Sequence, residues 1–361
     1  MRLILAAGTT RTATIEGISA AGEDPAVMVH TPSADAELLV YGEPVHASFV
    51  PVSPTGCPTP AMVTRAARTV LGFDVTTIDA GLAEPTAAPT IDLGASPGRE
   101  IRKPTAVPSA QAIFERSRTL GARLPDEEFV IGETIPGGTT TALGVLEALG
   151  ERGTVSSSLP DNPVALKREV VAAGLETSDL APGECAGEPV AAIEAVGDPV
   201  LAAVSGLAIG AVERGASITL AGGTQQLAAV ALARHAGLDP DSSLSVATTS
   251  YVANDESAAV RELAADLDVS LTVTDPDFGN DEREHVAVER FEAGEAKEGV
   301  GMGGALALAA EADELPAVHQ QFLALYDRLR SDARGSFSVG PEGCDDADGI
   351  GNADGGDRDA A

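Results

Sequence analysis

The sequence predicts an α/β fold, a mostly parallel sheet with helices on both faces. Short strand-like runs alternate with longer helical ones, as strand–helix–strand crossovers require. Glycine-rich segments stand where loops enter helices. The 361 residues are 44% apolar, well above the level of a disordered chain. Trp is absent and aromatics are only 3%, so the core must be built from Ala, Val, Leu and Ile.

Taken in order, Leu3–Ala6 reads as a first strand, Met62–Leu71 as a helix and Val75–Asp79 as a strand. Residues 83–108 are rich in Pro and Gly and read as a long excursion or a seam. Ala110–Leu120 is helical. Phe129–Ile131 is a short buried strand leading into the loop 132–141. The next helix runs to Leu149, with Leu143, Leu146 and Leu149 on one side and Gly150 as its stop. Asp161-Asn-Pro163 supplies a cap and a proline at the first helical position for a helix carrying Lys167. Pro199–Arg214 is a small-residue helix, apolar nearly all round and therefore buried. Ser217–Leu220 is a strand, followed by the loop Ala221–Thr224 and a helix to Ala236. Ser243–Thr248 and Val269–Val273 are strands around a helix near Ser257–Leu267. Val318, Phe322, Leu325 and Leu329 mark the apolar stripe of a late helix. The expected division is an N-terminal part (1–108), a main α/β part (109–339) and a disordered acidic tail (340–361).

The net charge is −32. Such a field repels nucleic acid and anionic lipid, which excludes both as partners. Three Lys (Lys103, Lys167 and Lys297) face twenty Arg. An acid-rich, lysine-poor surface suits a cell interior at molar salt, where screening removes the self-repulsion. Cys57, Cys185 and Cys344 are isolated, and the five His form no HxH or HExxH pair, so no disulfide framework or metal site is predicted. The N-terminal apolar stretch is too short for a signal peptide. The run Pro199–Val212 falls short of the ~20 residues a membrane span needs. Pro44–Thr64 is broken by prolines, and Gly215–Ala233 carries Gly222, Gly223, Gln225 and Gln226. A cytoplasmic protein is expected.

Three glycine-rich loops, 132–141, 221–224 and 298–304, enter helices. Backbone amides and the positive dipole end at a helix start bind phosphate or carboxylate, and glycine lets the ligand approach. None is a named nucleotide fingerprint. A tight turn explains one such loop; three in one chain point to an anionic small molecule. Glu133 and Glu298 sit in these loops, either as acids complementing a helix start or as a general base. Lys167 reads as a solvated lysine or, in a chain that has shed its lysines, as a phosphate contact. Lys103 is a weaker candidate of the same kind. Lys297 reads as neutralising Glu295 and Glu298.

These segments line up with a family. Gly132-Glu133 with Gly137-Gly138-Thr139-Thr140 resembles the G-E-M-G-I-G-N-T-T signature of nicotinate-nucleotide–dimethylbenzimidazole phosphoribosyltransferases. Asp198–Gly223 resembles their small-residue helix and strand ending in V-D-G-F. Lys297–Ala307 resembles their L-G-E-G-T-G-A-A-L-A. Order and spacing agree over about residues 130–310, and the sequence looks most like a divergent archaeal, halophile branch. Glu16–Ala20 and Thr77–Gly81 echo two upstream motifs.

The resemblance implies a doubly wound sheet, a smaller subdomain assembled from the chain ends and a homodimer. It implies phosphoribosyl transfer from nicotinate mononucleotide to a benzimidazole-like base, giving α-ribazole phosphate and nicotinate for the cobalamin nucleotide loop, with no cofactor. Glu298 would be the base on the benzimidazole nitrogen. Gly137, Gly138 and Thr139, followed by Thr140, would cradle the phosphate with Lys167 as its cation. Gly223 and Thr224 would line the same pocket, Glu133 would sit near the ribose, and Gly299 and Gly301 would be among the substrate-binding residues. The family's N-terminal P-P-G-S-L-G element is missing, Gly138 replaces an Asn, and V-D-G-F has become Leu220-Ala-Gly-Gly223. The acceptor is therefore open. A non-catalytic nucleotide-binding homologue, or a transferase acting on another acceptor such as a purine or a phenol, are the rival readings.

Overall fold

The computed structural model describes residues 1–19, 25–47, 49–53, 55–278 and 285–332. Seven strands form one sheet: β1 (Arg2–Ala7), β2 (Asp74–Asp79), β3 (Thr90–Asp92), β4 (Glu128–Thr134), β5 (Ser217–Ala221), β6 (Leu244–Thr249) and β7 (Ser270–Thr274). Their order is β3-β2-β1-β4-β5-β6-β7 and every pairing is parallel. The winding reverses between β1 and β4, which places a topological switch point there.

Side chains of β1 alternate as a pleated strand requires. Ile4 and Ala6 join one core and Leu3 and Leu5 the other. The first core is closed by the helices Ala110–Gly121, Gly138–Leu149, Pro199–Glu213 and Thr224–His235. The second is closed by Thr31–Tyr41, Ala61–Leu71, Met302–Glu311 and Leu315–Asp332, so elements from both ends of the chain meet on one face. The small residues of Pro199–Glu213 have a packing reason. A methyl at Gly210 would lie 2.0 Å from the Arg118 carbonyl oxygen, so glycine lets the two helices approach closely.

Several expectations shift in detail. β4 runs on to Thr134 instead of ending at Ile131, because Leu5, Ala6 and Ala7 of β1 pair with Gly132, Glu133 and Thr134 and hold them extended. Pro163 is the cap residue of Val164–Thr177, not its first helical residue. Asn162 does not cap, since its amide nitrogen donates to the Val155 carbonyl and Ser257 Oγ. The Pro/Gly-rich excursion contains β3, an exposed edge strand. The helix Thr31–Tyr41 has no counterpart in the sequence reading. Its two acids, Asp35 and Glu37, suggest a solvated segment but are both buried. Among the described residues no helix is long and apolar enough to cross a membrane. The expected acidic tail, 340–361, lies outside the described residues.

With 55 acidic against 23 basic residues, folding should weaken as salt is diluted, because unscreened repulsion opposes compaction. The melting temperature should fall between molar and ~0.1 M salt. An unchanged value would contradict the salt-adapted reading of the charge.

Candidate active site

Parallel α/β sheets bind ligands in the crevice beyond the carboxyl ends of their strands, beside the switch point. A cleft lies there, walled by the segments that follow β4, β5 and β6 and by the loop before Met302–Glu311. It encloses about 1010 Å³ including its mouth.

One wall carries carboxyls. Glu298 stands just before the helix Met302–Glu311, and its Oε1 accepts the Gly303 amide at 2.8 Å and the Gly299 amide at 3.1 Å. Its Oε2 lies 3.5 Å from Thr248 Oγ1. Burial pushes this carboxyl up to about 7, against the pull of those hydrogen bonds. Val300 adopts a left-handed backbone (φ 54°), strained for a β-branched residue. Its amide donates to the Glu133 carbonyl at 2.8 Å, tying the Glu298 loop to the end of β4. Glu133 is raised to about 8, first by burial and then by the negative charges of Asp198, Glu298 and Asp35. Asp35 accepts from Thr59 Oγ1 at 2.6 Å and Thr134 Oγ1 at 2.7 Å, and burial still raises it to about 6.

The other part is built from helix starts, serines and a lysine. Gly137, with φ 80°, caps the helix Gly138–Leu149, and Gly223 caps Thr224–His235. Gly137, Gly138, Thr139, Gly223 and Thr224 all line the cleft. Between them run Ser156, Ser157 and Ser158, also lining residues. The Ser156 amide donates to Thr224 Oγ1 at 3.3 Å, and its carbonyl accepts from Lys167 Nζ at 2.7 Å. Lys297 lines the same wall and donates to Asp255 Oδ2 at 2.7 Å.

Of the residues singled out in the sequence, Glu133, Gly137, Gly138, Thr139, Gly223, Thr224, Glu298 and Gly299 are thus brought to one cleft. Thr140, Lys167 and Gly301 stand behind its lining. Lys167 is fully buried, and burial, then the Lys297 charge, lower its ammonium to about 7 despite Asp255. Gly301 packs near Leu3 and Gly132 of the sheet. The neutralising role expected for Lys297 is corrected: its ion-pair partner is Asp255. Glu295 is instead satisfied by Ser53, Thr55 and Arg290. Sequence reasoning passed over Asp35, Thr59 and the Ser156–Ser158 run. The only signals for them were an acid inside an apolar helical stretch and three consecutive serines in a loop.

Fold and cleft together define a doubly wound α/β protein with a crevice at its switch point. The same fold is found in two structures from Thermus thermophilus, a nicotinate-nucleotide-dimethylbenzimidazole phosphoribosyltransferase (TM-score 0.60) and CobT (TM-score 0.59). Each is 18% identical and covers 92% of this chain and 86% of its own. The chain belongs to the UPF0284 family. It is 59% identical to a UPF0284 protein of the halophile Halobacterium salinarum over 326 residues, 90% of this chain and 97% of that one. It is 43% identical to a relative from Methanosarcina mazei, covering 83% and 86% of the two chains. A Pyrococcus furiosus relative is 39% identical, covering 91% and 98%. No family model matches the sequence.

Proposed function

We propose that the protein transfers phosphoribose from nicotinate mononucleotide to a benzimidazole-like base, releasing nicotinate and forming α-ribazole phosphate for cobamide synthesis. The observation that carries this reading is the lining of the cleft, which brings three carboxyls, Asp35, Glu133 and Glu298, together with helix starts, serines and an ammonium. A nucleotide with a cationic pyridinium and an anionic phosphate is the complementary ligand.

The phosphate rests on Gly137, Gly138, Thr139, Gly223 and Thr224, with Lys167 fixing the serine segment beside them. Glu133, largely protonated at neutral pH, faces the ribose as a hydrogen-bond donor. The acceptor nitrogen attacks C1′ from the side opposite nicotinate, so the new bond has the α configuration. The breaking bond returns its electron pair to the pyridinium nitrogen, which neutralises it, and the acceptor N–H proton passes to Glu298. Oε1 of Glu298 is engaged by two amides, which leaves Oε2 as the atom that takes the proton. The protein supplies orientation, a phosphate clamp and a base.

The acceptor faces the segment 51–60, whose lining residues Pro51, Val52, Cys57, Pro58 and Pro60 offer an apolar wall without aromatic rings. A panel of benzimidazoles, purines and phenols, incubated with nicotinate mononucleotide in molar salt, should give nicotinate release that depends on a benzimidazole. Release with a purine or phenol alone would reassign the acceptor. The pH dependence has a definite sign. Glu298 acts only when ionised, and its carboxyl lies near 7, so the rate should rise with pH through about 7 and fall again as Glu133, raised to about 8, loses the proton it donates to the ribose. A rate flat from pH 5 to ~8 would remove a carboxyl of this kind from the step.

A further inference from the structure

Two of the chain's three lysines, Lys167 and Lys297, converge on one wall of the cleft, in a protein of net charge −32. They do different things there. Lys167 is fully buried, and its Nζ is committed to the Ser156 carbonyl at 2.7 Å. It reaches the cleft only through that serine. Lys297 lines the cleft itself, and its Nζ is paired with Asp255 Oδ2 at 2.7 Å. An ammonium carries three N–H donors, and this contact uses one.

The surroundings hold both partners in place. Asp255 Oδ1 accepts the Ser257 amide at 3.0 Å and its hydroxyl at 2.6 Å, and Oδ2 also accepts from Ser156 Oγ at 3.2 Å. These bonds and the Lys297 charge keep the Asp255 carboxyl below its usual range, hence ionised. The Lys297 carbonyl accepts from Thr249 Oγ1 at 2.7 Å, which pins the backbone at the end of β6. Burying a charge without such a partner is costly, and the Asp255 pair offsets that cost for a lysine only 7% exposed.

We infer that Lys297 is the ammonium that contacts the phosphate monoester, that Asp255 positions it, and that Lys167 acts one step removed by holding the Ser156 wall. The inference deepens the reading above but rests on it only for the rest of the ligand. A charged N–H to a phosphate oxygen is among the stronger polar contacts, and a compact ammonium suits a site already crowded with backbone amides.

The test is a set of binding titrations on the full chain with nicotinate mononucleotide, nicotinate riboside and ribose 5-phosphate, at one salt concentration. Lys297→Met keeps the aliphatic stem and removes the charge. It should weaken both phosphorylated ligands by roughly 10–100-fold and leave the riboside unchanged. Lys297→Arg should recover part of the loss. Unchanged binding of the phosphorylated ligands, or an equal loss for the riboside, would overturn the assignment. So would a folded Lys167→Met protein that loses the preference for phosphate while Lys297→Met keeps it. A parent protein that binds neither phosphorylated ligand refutes this inference and the proposed function together. A parent that binds ribose 5-phosphate through Lys297, yet releases no nicotinate with any base, refutes the proposed function and leaves the inference standing.

Discussion

Glu298→Gln is expected to lower base-dependent nicotinate release by on the order of 10²–10⁴, the usual worth of a positioned general base. The substitution keeps the shape of the side chain and, through its amide oxygen, the bonds from the Gly299 and Gly303 amides. What it removes is the ability to take a proton. Nucleotide binding should hardly change, because the proposed phosphate contacts, Lys297 included, are made by other side chains and by backbone amides. Glu298 also complements the start of Met302–Glu311, and if that were its whole role the variant would lose about 0.3–1 kcal/mol of stability and little else. Thermal melting, nucleotide titration and a nicotinate-release assay on one preparation separate the two roles. Near-parental, base-dependent turnover in the variant would end the assignment of Glu298 as the base.

Gly303→Ala is expected to be nearly as damaging, for a different reason. A methyl at this position would lie 2.6 Å from the Ala247 carbonyl oxygen, from Thr248 Cα and from Glu298 Oε2. Two of those three atoms are backbone and cannot rotate away. Overpacking of this kind costs about 1–3 kcal/mol. The helix start must shift, and with it the 2.8 Å bond from the Gly303 amide to the Glu298 carboxylate. Turnover should therefore fall more than tenfold in protein that is still folded, while phosphate affinity changes less. Parental stability together with parental turnover would mean that the contact between β6 and this helix is looser than described.

Local chemistry explains which parts of this architecture are legible in the sequence. Most of the sheet can be read because buried parallel strands are continuous apolar runs, as in Leu3–Ala6 and Phe129–Ile131. The glycine loops can be read because a close approach of backbone to ligand or helix leaves few other choices. Asp35 and Glu37 mislead, since acids in a helical stretch normally signal a solvated face. Here burial is made tolerable by partners remote in the chain. Thr59 and Thr134 satisfy Asp35, and the amides of Val45, His46, Ala47 and Ala87 satisfy Glu37. The lysines mislead in the same way. Rarity in the sequence marks Lys167 and, more weakly, Lys103 as phosphate contacts and leaves Lys297 as a neutralising charge; only the packing of the 156–158 segment and of Asp255 shows which ammonium meets the cleft.

The central claim is a transfer that joins ribose phosphate to an aromatic nitrogen with inversion at C1′. The most direct measurement incubates the folded protein in molar salt with nicotinate mononucleotide and 5,6-dimethylbenzimidazole, then quantifies both products and assigns the anomer by NMR. The account predicts nicotinate and an α-linked ribazole phosphate in equal amounts, with neither formed when the base is omitted. A β-linked product, or nicotinate released without a ribazole phosphate, would contradict it.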